Sequence, residues 1–226
     1  LLRVLELSGC IVTLDAMGCQ KKIAREILEA DADYVLALKG NQEMVHEEVK
    51  TFLDATLAEQ RAPRPVGAKL SPAAASLARL ETVEKDHGRM ETRRYYQSDQ
   101  LAWFADRGKW EGLQSVGMVE SIREVAGKAT VERRYYLSSL RLDVATFARA
   151  VRSHWGVENK VHWVMDVCFR EDQSRARAGY AAENLATLRR LALNLLKRET
   201  TKKRGIRGKQ LNAGWDHAYL LRLLGV

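Results

Sequence analysis

Residues 11–38 read IVTLDAMGCQKKIAREILEADADYVLAL. The runs at residues 11–14 and 34–38 are short, apolar and partly β-branched, which is typical of strands. Residues 19–30 between them carry apolar side chains at helical spacing. A strand, a helix of about a dozen residues and a second strand form a βαβ unit with parallel strands. The segment therefore predicts an α/β fold.

The middle of the chain favours strands. After Gly40-Asn41 a helical pattern runs to about Gln60, and residues 61–72, which contain all three prolines, predict a surface loop. Strand-like runs then flank His87-Gly88 and Gly127-Lys128. This pattern predicts two β-hairpins.

The C-terminal part favours helices. Asp143 begins a helical pattern that runs towards Val167, and a further helix is expected over residues 181–197. A basic segment, 197–209, precedes a short closing helix at 215–224. We therefore divide the chain into a strand-helix-strand-helix segment (1–62), a β-rich segment (63–142) and a helical segment (143–226).

Composition excludes several classes of protein. Hydrophobic residues make up 46% of the 226 residues, enough to bury a sizeable core, so disorder is not expected. The sequence has no apolar run near the ~20 residues that a membrane-spanning helix needs, and it shows no secretory leader. Three widely spaced cysteines suggest neither a disulfide framework nor a paired-cysteine zinc site. A reducing cytoplasm fits best.

Positive charge is concentrated near the end of the chain. Up to Phe169, 24 basic residues balance 24 acidic ones, whereas 13 basic residues face 5 acidic ones beyond it. Such a segment suits a phosphate backbone, although a solvated basic face that aids solubility is the alternative. The residues concerned include Arg189, Arg190, Lys197, Arg198, Lys202, Lys203, Arg204, Arg207 and Lys209.

Two acidic residues are candidates for catalysis. Asp15 directly follows a strand-like run, where ligands collect in open α/β sheets; alternatively, it is an ordinary cap or turn residue. Glu158 lies four residues from both His154 and His162, so the three side chains share one helix face. This spacing also suits a zinc or iron site, which would need a further ligand. Alternatively, His162 is a packing residue.

Five motifs lie in order along the chain: VTLDAMGCQ (12–20), ALKGNQ (37–42), HGRMETR (87–93), RSHWGVEN (152–159) and LALNLLK (191–197). Together they resemble the DDE transposases of bacterial insertion sequences, of the H-repeat-associated (ISAs) type. The resemblance implies an α/β, ribonuclease H-like catalytic domain with an inserted β-hairpin region and a basic helical C-terminal part. It also implies a nucleoid-associated cytoplasmic protein that acts on transposon ends and target DNA as a homodimer.

The resemblance assigns Asp15 as the second catalytic aspartate and Glu158 as the glutamate, both ligands of two Mg²⁺ ions for which Mn²⁺ can substitute. Hard divalent ions prefer such carboxylate oxygens. Many members of the wider superfamily carry tyrosine, arginine and lysine around the glutamate, where this chain has Val151, His154 and Met165. DNA contacts are expected from the basic residues 189–204 and from Arg152, His154 and Asn159.

The resemblance also places the first catalytic aspartate on a strand upstream of residue 11. Residues 1–9 predict the tail of a helix ending at Gly9, so Glu6 is a poor substitute for that aspartate. We therefore expect a C-terminal fragment of a transposase that is inactive alone. The alternatives are a DNA-binding remnant without turnover and a His-Glu-His metalloenzyme unrelated to DNA.

Overall fold

The computed structural model describes residues 2–65, 67–86, 89–125, 128–157 and 161–226. These residues form two compact units, Leu1–His154 and Trp155–Val226. The predicted boundaries at residues 62 and 142 stay predictions.

Six strands of the first unit form one mixed sheet in the order β1-β2-β6-β5-β4-β3. Strands β1 and β2 are parallel, with Val12 opposite Tyr34, and every other neighbouring pair is antiparallel. Strand β1 therefore lies at one edge of the sheet. The strands are β1 (Ile11–Leu14), β2 (Asp33–Leu38), β3 (Ala78–Asp86), β4 (Arg89–Ser98), β5 (Ser115–Val125) and β6 (Lys128–Ser138).

Helices cover both faces of this sheet. The crossover helix α1 (Lys21–Glu29) and the long helix α2 (Glu43–Arg61) pack on one face, and α4 (Val144–Val157) packs on the other. A short helix, α3 (Pro72–Ser76), leads into β3. Because both faces are covered, β2 is almost continuously buried and reads as an unbroken apolar run.

Helix α4 begins at the predicted cap. The Asp143 carboxylate accepts hydrogen bonds from the backbone N–H groups of Ala145 and Thr146, each at 3.1 Å. Phe147 and Val151 then bury one stripe of the helix against the sheet. The Phe147 ring lies directly over Gly117 of β5, where a Cβ atom would approach three ring carbons to under 3.0 Å.

A buried carboxylate ties α2 to the antiparallel strands. Glu120 of β5 is 2% exposed and accepts hydrogen bonds from Arg61, Arg94 and Arg133, the closest at 2.7 Å from Arg61 Nη2. Burial by itself would raise the pKa of Glu120, but the hydrogen bonds from Arg61 and Arg133 lower it to about 2. The carboxylate is therefore ionised at neutral pH.

The second unit is helical. Its elements are α5 (Trp163–Phe169), α6 (Ala181–Arg198), α7 (Ile206–Trp215) and α8 (His217–Leu224). Met165, Cys168 and Leu193 form its small apolar core. Within the described part of the chain, no helix has the length and apolarity needed to cross a membrane.

Most predicted elements lie close to the expected positions, and strands flank both predicted hairpin turns, although residues 87, 88, 126 and 127 lie outside the described residues. One prediction was wrong: residues 2–9 hold only a three-residue 3₁₀ turn, Leu2–Val4, instead of a helix tail. Helix α7 was not predicted; it begins at Ile206, inside the basic segment 197–209.

Candidate active site

Strand β1 carries two polar side chains towards the face of the sheet that α4 covers. Thr13 and the residue just beyond the strand, Asp15, are two positions apart, and side chains at this spacing point to the same side. Thr13 lies opposite Val35, which packs in the same cluster as Val151 of α4. His154 follows Val151 by three residues, so it lies one helical turn further along that side of α4.

Asp15 is not used as a structural cap. It precedes the 3₁₀ turn Ala16–Gly18, yet its side chain makes no hydrogen bond to that turn. The carboxylate is 67% exposed, and its Oδ1 lies 3.6 Å from His154 Nε2. The side-chain geometry of Asp15 is therefore not that of an ordinary capping aspartate. An exposed, hard oxygen donor at a strand end is suited to a divalent cation.

His154 bridges the two side chains of β1. Its Nδ1 lies 3.0 Å from Thr13 Oγ1, on the side of the ring opposite the Asp15 contact. The imidazole is 28% exposed. Tyr136 of β6 is buried, and its ring packs edge-on against Phe147. Burial raises the pKa of Tyr136, and the nearby Asp15 carboxylate raises it further. Tyr136 is therefore a neutral phenol beneath the site.

The ALKGNQ motif supports the turn that follows Asp15. The Asn41 side chain donates to the carbonyl of Ala16, and the Gln42 side chain donates to the carbonyl of Cys19 at 3.1 Å. The turn also requires glycine at position 18, because a Cβ atom there would lie 2.9 Å from Leu14 Cβ. Side chains of the ALKGNQ motif thus fix the backbone of the VTLDAMGCQ motif next to Asp15.

The predicted partner of Asp15, Glu158, lies outside the described residues, as does Asn159. Among the residues that are described, no three His, Cys, Asp or Glu side chains form a group able to hold a metal ion. Asp15 therefore remains a predicted metal ligand, and the described residues alone do not complete a site around it. The His-Glu-His alternative also depends on Glu158.

The predicted DNA-binding residues of the second unit lie along α6 and in the turn that follows it. Arg190, Lys197 and Arg198 are exposed on this helix, whereas Arg189 is half-buried, with Nη1 3.9 Å from Glu171 Oε1. The turn after the helix exposes Lys202, Lys203 and Arg204. In the first unit, Arg152 donates to Glu84 at 2.7 Å, so its guanidinium is already engaged.

A buried polar cluster shapes that basic turn. Lys209 points inward and donates to the carbonyls of Leu196, at 3.1 Å, and Glu199. The Glu199 carboxylate accepts hydrogen bonds from Thr201 and, at 2.9 Å, from the Tyr219 hydroxyl. These hydrogen bonds lower the pKa of Glu199 to about 2, and the bond from the Thr201 side chain has the largest effect. Lys209 was predicted to be one of the basic residues suited to a phosphate backbone; this was wrong, because its side chain is buried.

Sequence reasoning missed three polar residues of the first unit. Thr13, Asn41 and Gln42 lie inside motifs that were recognised as whole strings, and no role was assigned to them. Their polar side chains next to strand ends were the available signal.

Comparisons with known proteins identify the family of this chain. The family described as Transposase DDE domain matches residues 1–195. "Putative transposase YncI" of Escherichia coli O157:H7 is 36% identical over 99% of this chain and 55% of its own length. "H repeat-associated putative transposase YhhI" of Escherichia coli K12 is 35% identical over 99% of this chain and 57% of its own length. The chain thus spans little more than half the length of these relatives, and it belongs to the transposase DDE domain family.

Proposed function

We propose that the chain is part of a DNA transposase that cleaves transposon ends and joins them to target DNA. The observation that carries the proposal is the Asp15 carboxylate, which is exposed at the end of β1, makes no cap and faces α4. Glu158, four residues after His154 in sequence, is the proposed second carboxylate.

Asp15 and Glu158 would each bind divalent metal through carboxylate oxygens, with Mg²⁺ as the expected ion and Mn²⁺ as a substitute. Two such ions would activate the attacking oxygen and stabilise the leaving oxygen at phosphorus. The contribution of the chain would be to hold the Asp15 carboxylate at the end of β1 and to supply the Glu158 carboxylate. In the first step water attacks phosphorus at the transposon end and the P–O3′ bond breaks. In the second step the freed 3′-hydroxyl attacks a target phosphodiester, which releases a target 3′-hydroxyl.

A ribonuclease H-like core is supported by the parallel pair β1–β2 and its helical crossover. The open edge of β1 is the place where a strand carrying the first catalytic aspartate would pair. Because the described residues contain no group of three side chains able to hold a metal ion, we expect the 226-residue chain to be inactive alone. Magnesium-dependent nicking by this chain that disappears on Glu158→Gln would contradict that expectation.

The DNA backbone is the proposed partner of the second unit. Lys197, Arg198, Lys202, Lys203 and Arg204 are exposed at one end of α6 and in the turn that follows it. Binding of such a cluster to phosphates displaces condensed counterions, so affinity falls as salt rises. Arg152, His154, Asn159, Arg189 and Arg190 remain predicted contacts. A homodimer that brings two DNA ends together and a place at the nucleoid are further parts of the proposal.

The test uses the full-length transposase with Asp15→Asn or Glu158→Gln. We expect each substitution to abolish cleavage of transposon-end DNA and to leave DNA binding nearly unchanged. Asp99→Asn is a matched control, because Asp99 is also exposed and also directly follows a strand. Cleavage that survives in Asp15→Asn, or that is lost equally in Asp99→Asn, would refute the assignment.

A further inference from the structure

Three polar side chains form a continuous row on the face of the sheet under α4. Thr13 Oγ1 lies 3.0 Å from His154 Nδ1, and His154 Nε2 lies 3.6 Å from Asp15 Oδ1. The row joins Thr13 of β1 and Asp15, just beyond that strand, through a side chain that is about 140 positions away in sequence. Each ring nitrogen of His154 therefore faces a different oxygen, that of Thr13 or that of Asp15.

The charge of Asp15 determines which atom the ring presents to it. A neutral imidazole has one N–H and one lone pair, and a lone pair facing a carboxylate would be repelled. Nε2 therefore carries the hydrogen, and Nδ1 of the neutral ring accepts a hydrogen bond from the Thr13 hydroxyl. If the ring were protonated, the hydroxyl would rotate and accept from Nδ1, and Nε2–H would still face Asp15.

We propose that His154 is a positioning residue, oriented by Thr13, whose Nε2–H holds the Asp15 carboxylate in the orientation that binds divalent metal. This inference rests on the proposed function, since it takes Asp15 as a metal ligand. Ligating carboxylates are commonly fixed by hydrogen bonds from residues that do not touch the metal, and loss of such a partner typically weakens metal binding about 10–100-fold.

The position of α4 makes this role possible. Phe147 is fully buried and Val151 nearly so, and both anchor the helix against the same sheet that carries Thr13. A 3.6 Å separation is longer than a hydrogen bond, but a small rotation of the exposed Asp15 carboxylate would close it. His154 has less freedom, because its Nδ1 side is already committed to Thr13.

The direct test measures Mn²⁺ binding to the full-length transposase by electron paramagnetic resonance, without DNA and without turnover. Thr13→Val removes the hydroxyl but keeps the shape and the β-branching of the side chain. We expect it to raise the Mn²⁺ concentration at half-saturation about 10–100-fold. Thr13→Ser should restore binding to within about threefold, because the hydroxyl is retained. Thr130→Val on the exposed part of β6 is the control and should bind as wild type.

A second pair of variants tests the imidazole itself. His154→Gln places an amide N–H near the position of Nε2 and should bind Mn²⁺ better than His154→Ala. If Thr13→Val and His154→Ala both bind Mn²⁺ as wild type while Asp15→Asn does not, the positioning role is refuted and the assignment of Asp15 stands. If Asp15→Asn also binds normally, the proposed function fails as well. A merely structural role would lower Tm in Thr13→Val without moving the Mn²⁺ titration.

Discussion

Gly117 and Phe147 offer the sharpest test of how α4 is held on the sheet. A methyl group at position 117 would lie under 3.0 Å from three carbons of the Phe147 ring, which is fully buried. The ring must move, and overpacking of this kind costs about 1–3 kcal/mol. We therefore expect Gly117→Ala to lower Tm by about 2–4 °C for each kcal/mol lost.

The second arm of this prediction is a double-mutant cycle. Phe147→Ala alone should cost about 3–5 kcal/mol, because it opens a cavity over β5. In that background the Gly117→Ala methyl enters empty space, so its cost should vanish or change sign. The predicted coupling between the two positions is therefore about 1–3 kcal/mol.

Urea unfolding at 25 °C, followed by circular dichroism, measures all four members of the cycle, and an unchanged slope confirms that the unfolded state is the same. Gly108→Ala is the control, since no heavy atom lies within 4 Å of a Cβ there. Free energies that add to within about 0.5 kcal/mol would refute the reasoning.

Three further predictions concern single features. Glu120 has a lowered pKa, so the stability that its ionised carboxylate contributes is present above about pH 4.5 and is lost as the pH falls through about 2. The difference in unfolding free energy between wild type and Glu120→Gln should therefore shrink by about 3 kcal/mol from pH 5 to pH 2. A constant difference in urea titrations would contradict this. Asp143→Ala should cost about 0.5–2 kcal/mol by thermal unfolding, because two N–H groups of α4 lose their acceptor; an unchanged Tm would argue against the cap. Lys202→Ala with Lys203→Ala should reduce the slope of log affinity against log salt by about 2 on duplex DNA; an unchanged slope would remove the turn from the interface.

Local patterns predicted those parts of the fold that local forces determine. The apolar runs of β1 and β2 and the spacing of α1 indicated a parallel pair, and the Asp143 cap indicated where α4 begins. The pairing of β2 with β6 depends on contacts between distant parts of the chain, so no short window encodes it. Helix α7 was missed because its sequence contains two glycines and no clear apolar stripe.

The site was predictable to a similar extent. Asp15 was singled out because it directly follows a strand-like run, where ligands collect in open α/β sheets, and because the family resemblance assigns it a catalytic role. The contact of His154 with Thr13 was not predicted, since it arises only when α4 packs across the sheet. Asn41 and Gln42 were part of a recognised motif, but their hydrogen bonds to the Asp15 turn required the three-dimensional arrangement.

The pairing of β2 with β6 has a consequence for the order of folding. In each of the pairs β3–β4 and β5–β6, about two residues of sequence separate the strands, so each pair can form early from neighbouring residues. Val35 and Ser138, in contrast, are separated by about 100 residues, and closing such a loop is entropically costly before other contacts stabilise it. The parallel strands should therefore join a preformed antiparallel ribbon late, and Asp15 would reach His154 only in the last stage of folding.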